Sequence, residues 1–311
     1  MAPMTPRLGE TLSTNLGPLD LRSPLVASSG TVGSVWEWAE IADVSAYGAA
    51  VAKSVSPTPW EGRPPPRIAP TEVGMLNGIG IQNPGIEEWT RVMEPHIAGL
   101  AVPIWGSAVA GDADGFALVA KGLDAVGVTA VEVNLSCPNL EDGEMFSFSI
   151  SRSREVLEAV SGSVAVPVGA KLSPNTPDIV GVAAACAEAG ADFLVLTNTA
   201  FGFALSSRDR KPLISGGVGG YSGPGLKPIS LRCVYEVSRS LPDVPILGCG
   251  GVVHGRDVVE YLIAGASAVE AGTIHFAEPR AGVRIIRELG REMRRLGVET
   301  VGELVGTVGE W

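Results

Sequence analysis

Short runs of β-branched and aliphatic residues alternate with longer Ala-, Leu- and Glu-rich stretches along most of the chain. The two patterns carry different periods, and so predict different elements. The short runs predict strands at Leu25–Ser28, Ala49–Ser54, Pro103–Ser107, Val131–Leu135, Val166–Lys171, Phe193–Thr197, Pro245–Gly248 and Ala268–Ala271. Between them, segments such as Ile179–Gly190 and Arg256–Ala264 place apolar residues at helical spacing. Eight strand-then-helix units predict an α/β fold of the (β/α)8 TIM-barrel class with short insertions, because eight parallel strands close around a lumen that side chains can fill. An open doubly wound sheet is the alternative; no strict G-x-G-x-x-G turn supports it.

Composition narrows this reading. The chain is 45% hydrophobic and 18% charged, and its 40 Gly and 23 Pro are dispersed, with no linker, low-complexity tract or repeat. Residues 1–311 are therefore expected to form one domain. A net charge of -11 argues against a nucleic-acid partner, which demands clustered Lys and Arg. Arg287, Arg291, Arg294 and Arg295 alternate with acids and read as a solvated helix face. No apolar run reaches the ~18 residues needed to span a bilayer, so no membrane association is expected. The four cysteines, Cys137, Cys186, Cys233 and Cys249, lack metal-ligand spacing. Reduced thiols in a cytoplasmic protein without a metal site are the expectation.

In α/β barrels the active site is built at the carboxyl ends of the strands. Here those ends are polar: Ser28-Ser29-Gly30, Lys53-Ser54, Asn134-Leu-Ser-Cys137-Pro-Asn139, Lys171, Thr197-Asn198-Thr199, Gly250-Gly251 and Gly272-Thr273. Two lysines, several amides and a thiol converging on one rim are what a catalytic site requires. The glycines that end strands seven and eight, with Gly223, suit a phosphate, because bare backbone N–H groups can approach the anion closely. Ordinary turns or a phosphorylated sugar would use the same glycines.

Alternation along strand four turns Val131, Val133 and Leu135 towards the helices, and Glu132, Asn134 and Ser136 towards the lumen. Cys186, Cys233 and Cys249 read as small buried hydrophobes. Cys137 differs because it follows in a polar rim loop, and Leu140 to Ser149 have the Gly and acidic composition of a mobile active-site lid. A thiolate is a competent base for a carbon acid. Asn77, Asn134, Asn139 and Asn198 offer paired donors and acceptors, suited to a planar ring edged with alternating C=O and N–H groups. Lys53 and Lys171 could each be a Schiff-base nucleophile, an anion partner or a snorkelling edge residue.

Six stretches in this order carry a family resemblance: Met75-Leu-Asn-Gly-Ile-Gly-Ile-Gln-Asn-Pro-Gly85, Val131-Glu-Val-Asn-Leu-Ser-Cys-Pro-Asn139, Lys171-Leu-Ser-Pro-Asn175, Thr197-Asn-Thr199, Gly220-Tyr-Ser-Gly-Pro224 and Gly248-Cys-Gly-Gly-Val252. From about Leu21 to Phe276 the chain resembles the dihydroorotate dehydrogenase family, class 1, and most closely the NAD-linked class 1B. The resemblance implies FMN-dependent oxidation of dihydroorotate to orotate in pyrimidine biosynthesis. Cys137 matches the base that removes the C5 proton while C6 delivers hydride to the flavin. Asn77, Gly78, Ile79, Gly80 and Ile81 match the orotate-holding loop; Asn134, Asn139, Asn198 and Thr199 match further substrate contacts. Lys53 matches a residue near both ligands. Ser29, Ser54, Asn134, Lys171, Thr197, Gly223, Gly250, Gly251, Gly272 and Thr273 match flavin contacts.

The resemblance also implies a partner subunit carrying FAD and an iron–sulfur cluster, in a homodimer or heterotetramer. The membrane-linked class uses serine as base and an amphipathic N-terminal extension, and neither is expected here. Two positions depart from the family pattern: Ala108 stands where an Asn is usual at the end of strand three, so that one flavin contact is lost or is replaced by water or by Ser107, and Glu270 stands where strand eight usually carries an apolar or amide side chain. The rival readings are a flavin barrel acting on another dihydropyrimidine such as dihydrouracil, a lyase or aldolase with Lys171 as Schiff base, and a non-catalytic barrel.

Overall fold

Each predicted strand forms in the computed structural model, which describes residues 12–135 and 145–309. We number the barrel strands β1 (Leu25–Ala27), β2 (Ala49–Val51), β3 (Ile104–Ala108), β4 (Ala130–Asn134), β5 (Val168–Leu172), β6 (Phe193–Leu196), β7 (Ile246–Cys249) and β8 (Ala268–Ala271). Every neighbouring pair is parallel, and β8 pairs with β1 to close the barrel. Apart from half-buried Asn134, every residue of these strands is buried, which explains runs such as Phe-Leu-Val-Leu in β6.

The inward and outward faces fill separately. Val131 and Val133 of β4 pack outward with Leu123 and Val156, in the layer between sheet and helices. Inside the barrel, Trp105 and Phe193 lie with ring centroids 5.3 Å apart. A hairpin of Thr14–Leu16 and Leu19–Leu21 adds Leu16 and Leu21 to this inner cluster, alongside Ala49, Ala130 and Ala268 at the strand starts. The N-terminal end of the barrel is thereby plugged with apolar side chains, leaving the carboxyl end for the site.

Helices Ala113–Val126, Ile150–Ser161 and Ile179–Glu188 begin where Asp112, Ser149 and Asp178 accept hydrogen bonds from the backbone N–H of Gly115, Arg152 and Gly181. Among the described residues no helix is long and apolar enough to cross a membrane.

Two features depart from the expected short insertions and lid. Segments after β2 and β6 meet in a four-stranded antiparallel sheet, ordered Ala200–Phe203, Val218–Ser222, Gly74–Asn77, Ile68–Thr71. The C-terminal part of the expected lid is also packed: Phe146 meets Phe116 edge to face at 5.3 Å, Ser153 Oγ donates to the Phe146 carbonyl, and Met145, Phe146 and Ser147 are buried. Leu140 to Glu144 lie outside the described residues.

Candidate active site

The carboxyl ends of the strands and the four-stranded sheet together enclose a cavity of about 560 Å³. That volume lies within the range that holds a cofactor-sized ligand. Every described residue that the resemblance matches to a ligand contact lines it. From the barrel come Ser29, Lys53, Ser54, Asn134, Lys171, Thr197, Asn198 and Thr199, and from the glycine turns Gly250, Gly251, Gly272 and Thr273. From the insertions come Asn77, Gly78, Ile79, Gly80, Ile81 and Gly223. Cys137 and Asn139 lie outside the described residues.

At one end the backbone is bare. Gly251 has φ +70°, and a Cβ there would stand 2.8 Å from the carbonyl oxygen of Gly223. Only glycine fits both the conformation and the space. Tyr261 OH donates to the Gly250 carbonyl at 2.7 Å, and Thr273 Oγ1 to Ser222 Oγ at 2.8 Å, fixing the turns that follow β7 and β8.

Elsewhere in the cavity, amides are tied into a chain. Asn198 Nδ2 donates to Asn134 Oδ1 (3.2 Å), and Asn134 Nδ2 to Ser54 Oγ (3.3 Å). Asn77, on the inserted sheet, donates to the Gly220 carbonyl at 3.2 Å. These contacts set the amide planes. Asn175, on none of the expected lists, supports Thr199 by donating to its carbonyl oxygen at 3.1 Å.

Beneath the rim lies a charged cluster that sequence reasoning did not foresee. Lys171 Nζ is 2.8 Å from Glu270 Oε2 and 3.2 Å from Glu132 Oε2, and it reaches Ser28 Oγ at 3.3 Å. Ser28 Oγ donates to the same Glu270 oxygen at 2.8 Å. Burial raises the Glu132 carboxyl to about 8; Lys171 opposes this and the Glu270 charge reinforces it. Burial also disfavours the charge on Glu270, but Lys171 outweighs it and holds that carboxyl below its usual range. Lys171 is desolvated, yet the two carboxylates raise its pKa, so it stays an ammonium.

Two expectations need correction and one needs extending. Cys249 is buried in the inner apolar cluster, as expected, and it also ends β7, lines the cavity and lies with Sγ 3.8 Å from Ser28 Oγ. Burial raises its pKa, so it is no ready thiolate. Ala108 does not face the cavity; it packs in the outer core with Ile104, while Ser107 turns inward and shares a 2.8 Å hydrogen bond with Ser54. Ser107 is not itself among the cavity-lining residues. Finally, Lys171 is engaged by two carboxylates and is not simply a cation facing a ligand. Cavity-lining residues that the sequence reading left out include Ser28, Thr31, Arg63 and Glu132. Of these, Glu132 was legible as a lumen-facing strand position and Ser28 as a polar strand end.

Comparison with known proteins agrees with this geometry. The family model for dihydroorotate dehydrogenase matches residues 11–293. A Geobacter sp. (strain M21) protein named dihydroorotate dehydrogenase B (NAD(+)), catalytic subunit, is 38% identical over 96% of this chain and 98% of its own length. A protein of the same name from Pelobacter propionicus is 40% identical over 96% of this chain and 98% of its own. A Solibacter usitatus relative, named for the fumarate-linked type A, is 39% identical over 98% of this chain and 99% of its own. With a closed eightfold barrel, the rim cavity and a family match across nearly its whole length, the chain belongs to the dihydroorotate dehydrogenase family.

Proposed function

We propose that this protein oxidises dihydroorotate to orotate in pyrimidine biosynthesis, with FMN as its cofactor and Cys137 as the general base. The observation that carries this reading is the junction, in one cavity, of a glycine-lined turn region with the Asn77, Asn134 and Asn198 amides. The residues present fit FMN. A Cβ at Gly251 would fill the backbone cradle that suits its phosphate, and the bonded Asn198–Asn134–Ser54 chain, which lines the cavity, presents polar atoms to a heterocycle. When bound, FMN supplies the two-electron acceptor.

The protein's own residues do the rest. Gly250, Gly251, Gly272, Thr273 and Gly223 hold the phosphate group, while Ser29, Ser54, Thr197 and Lys171 border the ring system. Asn77 to Ile81, Asn134, Asn139, Asn198 and Thr199 orient the pyrimidine and its carboxylate, with Lys53 beside both ligands. Cys137 takes the C5 proton. A thiol suits this task because its reference pKa lies within about two units of neutrality.

The Schiff-base alternative fares poorly on geometry. An amine nucleophile must be neutral, and Lys171 is held as an ammonium by two buried carboxylates. We further propose a cytoplasmic enzyme whose electrons leave through a partner subunit bearing FAD and an iron–sulfur cluster. The names of the Geobacter and Pelobacter relatives, each a catalytic subunit of an NAD-type enzyme, support this. The test is turnover of purified protein on dihydroorotate and on dihydrouracil, with an artificial acceptor, fumarate, or NAD plus a partner subunit. Orotate formation from dihydroorotate supports the assignment, and turnover of dihydrouracil alone overturns it. Full turnover with fumarate and no partner would replace the NAD-linked route.

A further inference from the structure

The Glu132–Lys171–Glu270 cluster has more acid than it needs for charge balance. Two carboxylates and one ammonium sit with side-chain exposures of 1%, 0% and 5%. A net negative charge in such a dry place is costly, because desolvation exceeds what one cation returns. Two carboxylates sharing one site resolve this by retaining a proton. The hydrogen bonds say where. Glu270 Oε2 accepts from both Lys171 and Ser28, the environment of an ionised oxygen, while Glu270 Oε1 is buried without a hydrogen-bond partner. Glu132 takes the longer contacts from Lys171, 3.2 and 3.3 Å, and meets the Glu270 carboxyl, so it carries the proton.

Position gives this proton a use. Ser28, Glu132, Lys171 and Cys249 all line the cavity. The titratable groups facing the cluster are Glu132 on β4, Lys171 on β5, Cys249 on β7 and Glu270 on β8, with the Ser28 hydroxyl after β1. A negative charge arising in the cavity therefore acts on the cluster at short range and through little water, where electrostatic effects are large.

We propose that the Glu132–Lys171–Glu270 cluster takes up and releases one proton in step with the redox state of a flavin in this cavity, and that Glu270 is the positioning residue that makes the cluster titrate. This rests on the flavin assignment above. The oxidised ring is neutral. Two electrons and one proton from dihydroorotate leave it with one negative charge. The substrate's second proton goes to the base and then to solvent. When the cluster has lost its proton in the oxidised protein, the new charge draws one back from solvent onto Glu132. Below the cluster's titration, reduction couples two electrons to one proton; above it, to two. Without Glu270, Glu132 and Lys171 form a balanced pair that holds no extra proton.

The experiment is the midpoint potential of the bound flavin between pH 6 and 9, in the parent protein and in Glu270→Gln. Each coupled proton changes the reduction equilibrium tenfold per pH unit, about 30 mV for a two-electron couple. The parent slope is expected to steepen from about 30 to about 60 mV per pH unit on the alkaline side, and the variant slope to stay near 30 mV. Equal slopes in the two proteins overturn the proposal. If the variant does not retain flavin, proton uptake is counted in the unbuffered parent on anaerobic reduction by the methyl viologen radical, whose one-electron oxidation releases no proton. Two protons per flavin at the alkaline end and one at pH 6 support the proposal, and one at both overturns it. A protein that binds no flavin refutes the cofactor reading instead, which separates the two failures.

Discussion

Lys171 Nζ and Glu270 Oε2 are 2.8 Å apart, with neither side chain more than 5% exposed. A family resemblance marked Glu270 only as unusual; the contact with Lys171, 99 positions away in sequence, makes it part of the site floor. Lys171→Met should leave the buried, ionised Glu270 without a counter-ion and destabilise the fold by about 3–5 kcal/mol. Glu270→Gln keeps the Glu132–Lys171 pair and should cost less than half of that. Denaturant unfolding at pH 7 measures both, and equal losses would contradict the cluster's charge assignment.

Gly251 tests the phosphate cradle. Gly251→Ala places a Cβ against the Gly223 carbonyl at a φ of +70°, so FMN affinity should fall at least tenfold, on top of about 1–3 kcal/mol of backbone strain. Gly297→Ala is the control: its φ is +73°, and a Cβ there meets nothing within 4 Å. The control should lose stability while keeping its flavin. Flavin titration of the two apoproteins decides, and equal loss in both would remove the cradle from the account.

The amide chain should govern substrate affinity. Asn198→Ala removes a donor to Asn134 as well as the proposed substrate contact, so orotate binding should weaken by about 1.5–3 kcal/mol, roughly ten- to a hundred-fold. The shift of the flavin spectrum on adding orotate gives the dissociation constant. Unchanged affinity would place the pyrimidine elsewhere in the cavity.

His275 gives the fold a pH dependence of defined sign. Burial lowers its pKa to about 4, and its ring nitrogens meet Tyr47 OH at 2.8 Å and Thr31 Oγ1 at 3.1 Å. The unfolded chain therefore binds a proton near pH 6.5 that the folded protein refuses until about 4. Stability from this group is complete above 6.5 and is lost as pH falls towards 4, by up to about 3 kcal/mol. His275→Gln should flatten that part of the unfolding free-energy profile. A variant profile parallel to the parent's would contradict it.

Much of this architecture was legible from residue order. Strand alternation turned Glu132 and Asn134 inward because a period of two leaves no other choice once Val131 and Val133 face the helices. Polar strand ends located the rim, since a barrel core has no use for lysines and amides. What stayed hidden depends on contacts between distant segments. The four-stranded sheet joins Gly74–Asn77 to Val218–Ser222, strands too short and glycine-rich to announce themselves. Ala108 and Ser107 exchange roles through the parity of a single residue, which sequence boundaries accurate to a position or two cannot settle. Cys249 looked like core because its strand is apolar, yet it ends β7 and opens onto the cavity.

We propose that dihydroorotate gives its electrons to a flavin in this cavity, with Cys137 as base. Anaerobic visible spectra of the purified protein, recorded on mixing with dihydroorotate, test it most directly. The purified protein should be yellow and bleach rapidly, and a Cys137→Ala variant should bind flavin and orotate but bleach roughly 10² to 10⁴ times more slowly at neutral pH. A colourless protein, a flavin that dihydroorotate leaves oxidised, or a variant that bleaches at the parent's rate would contradict it.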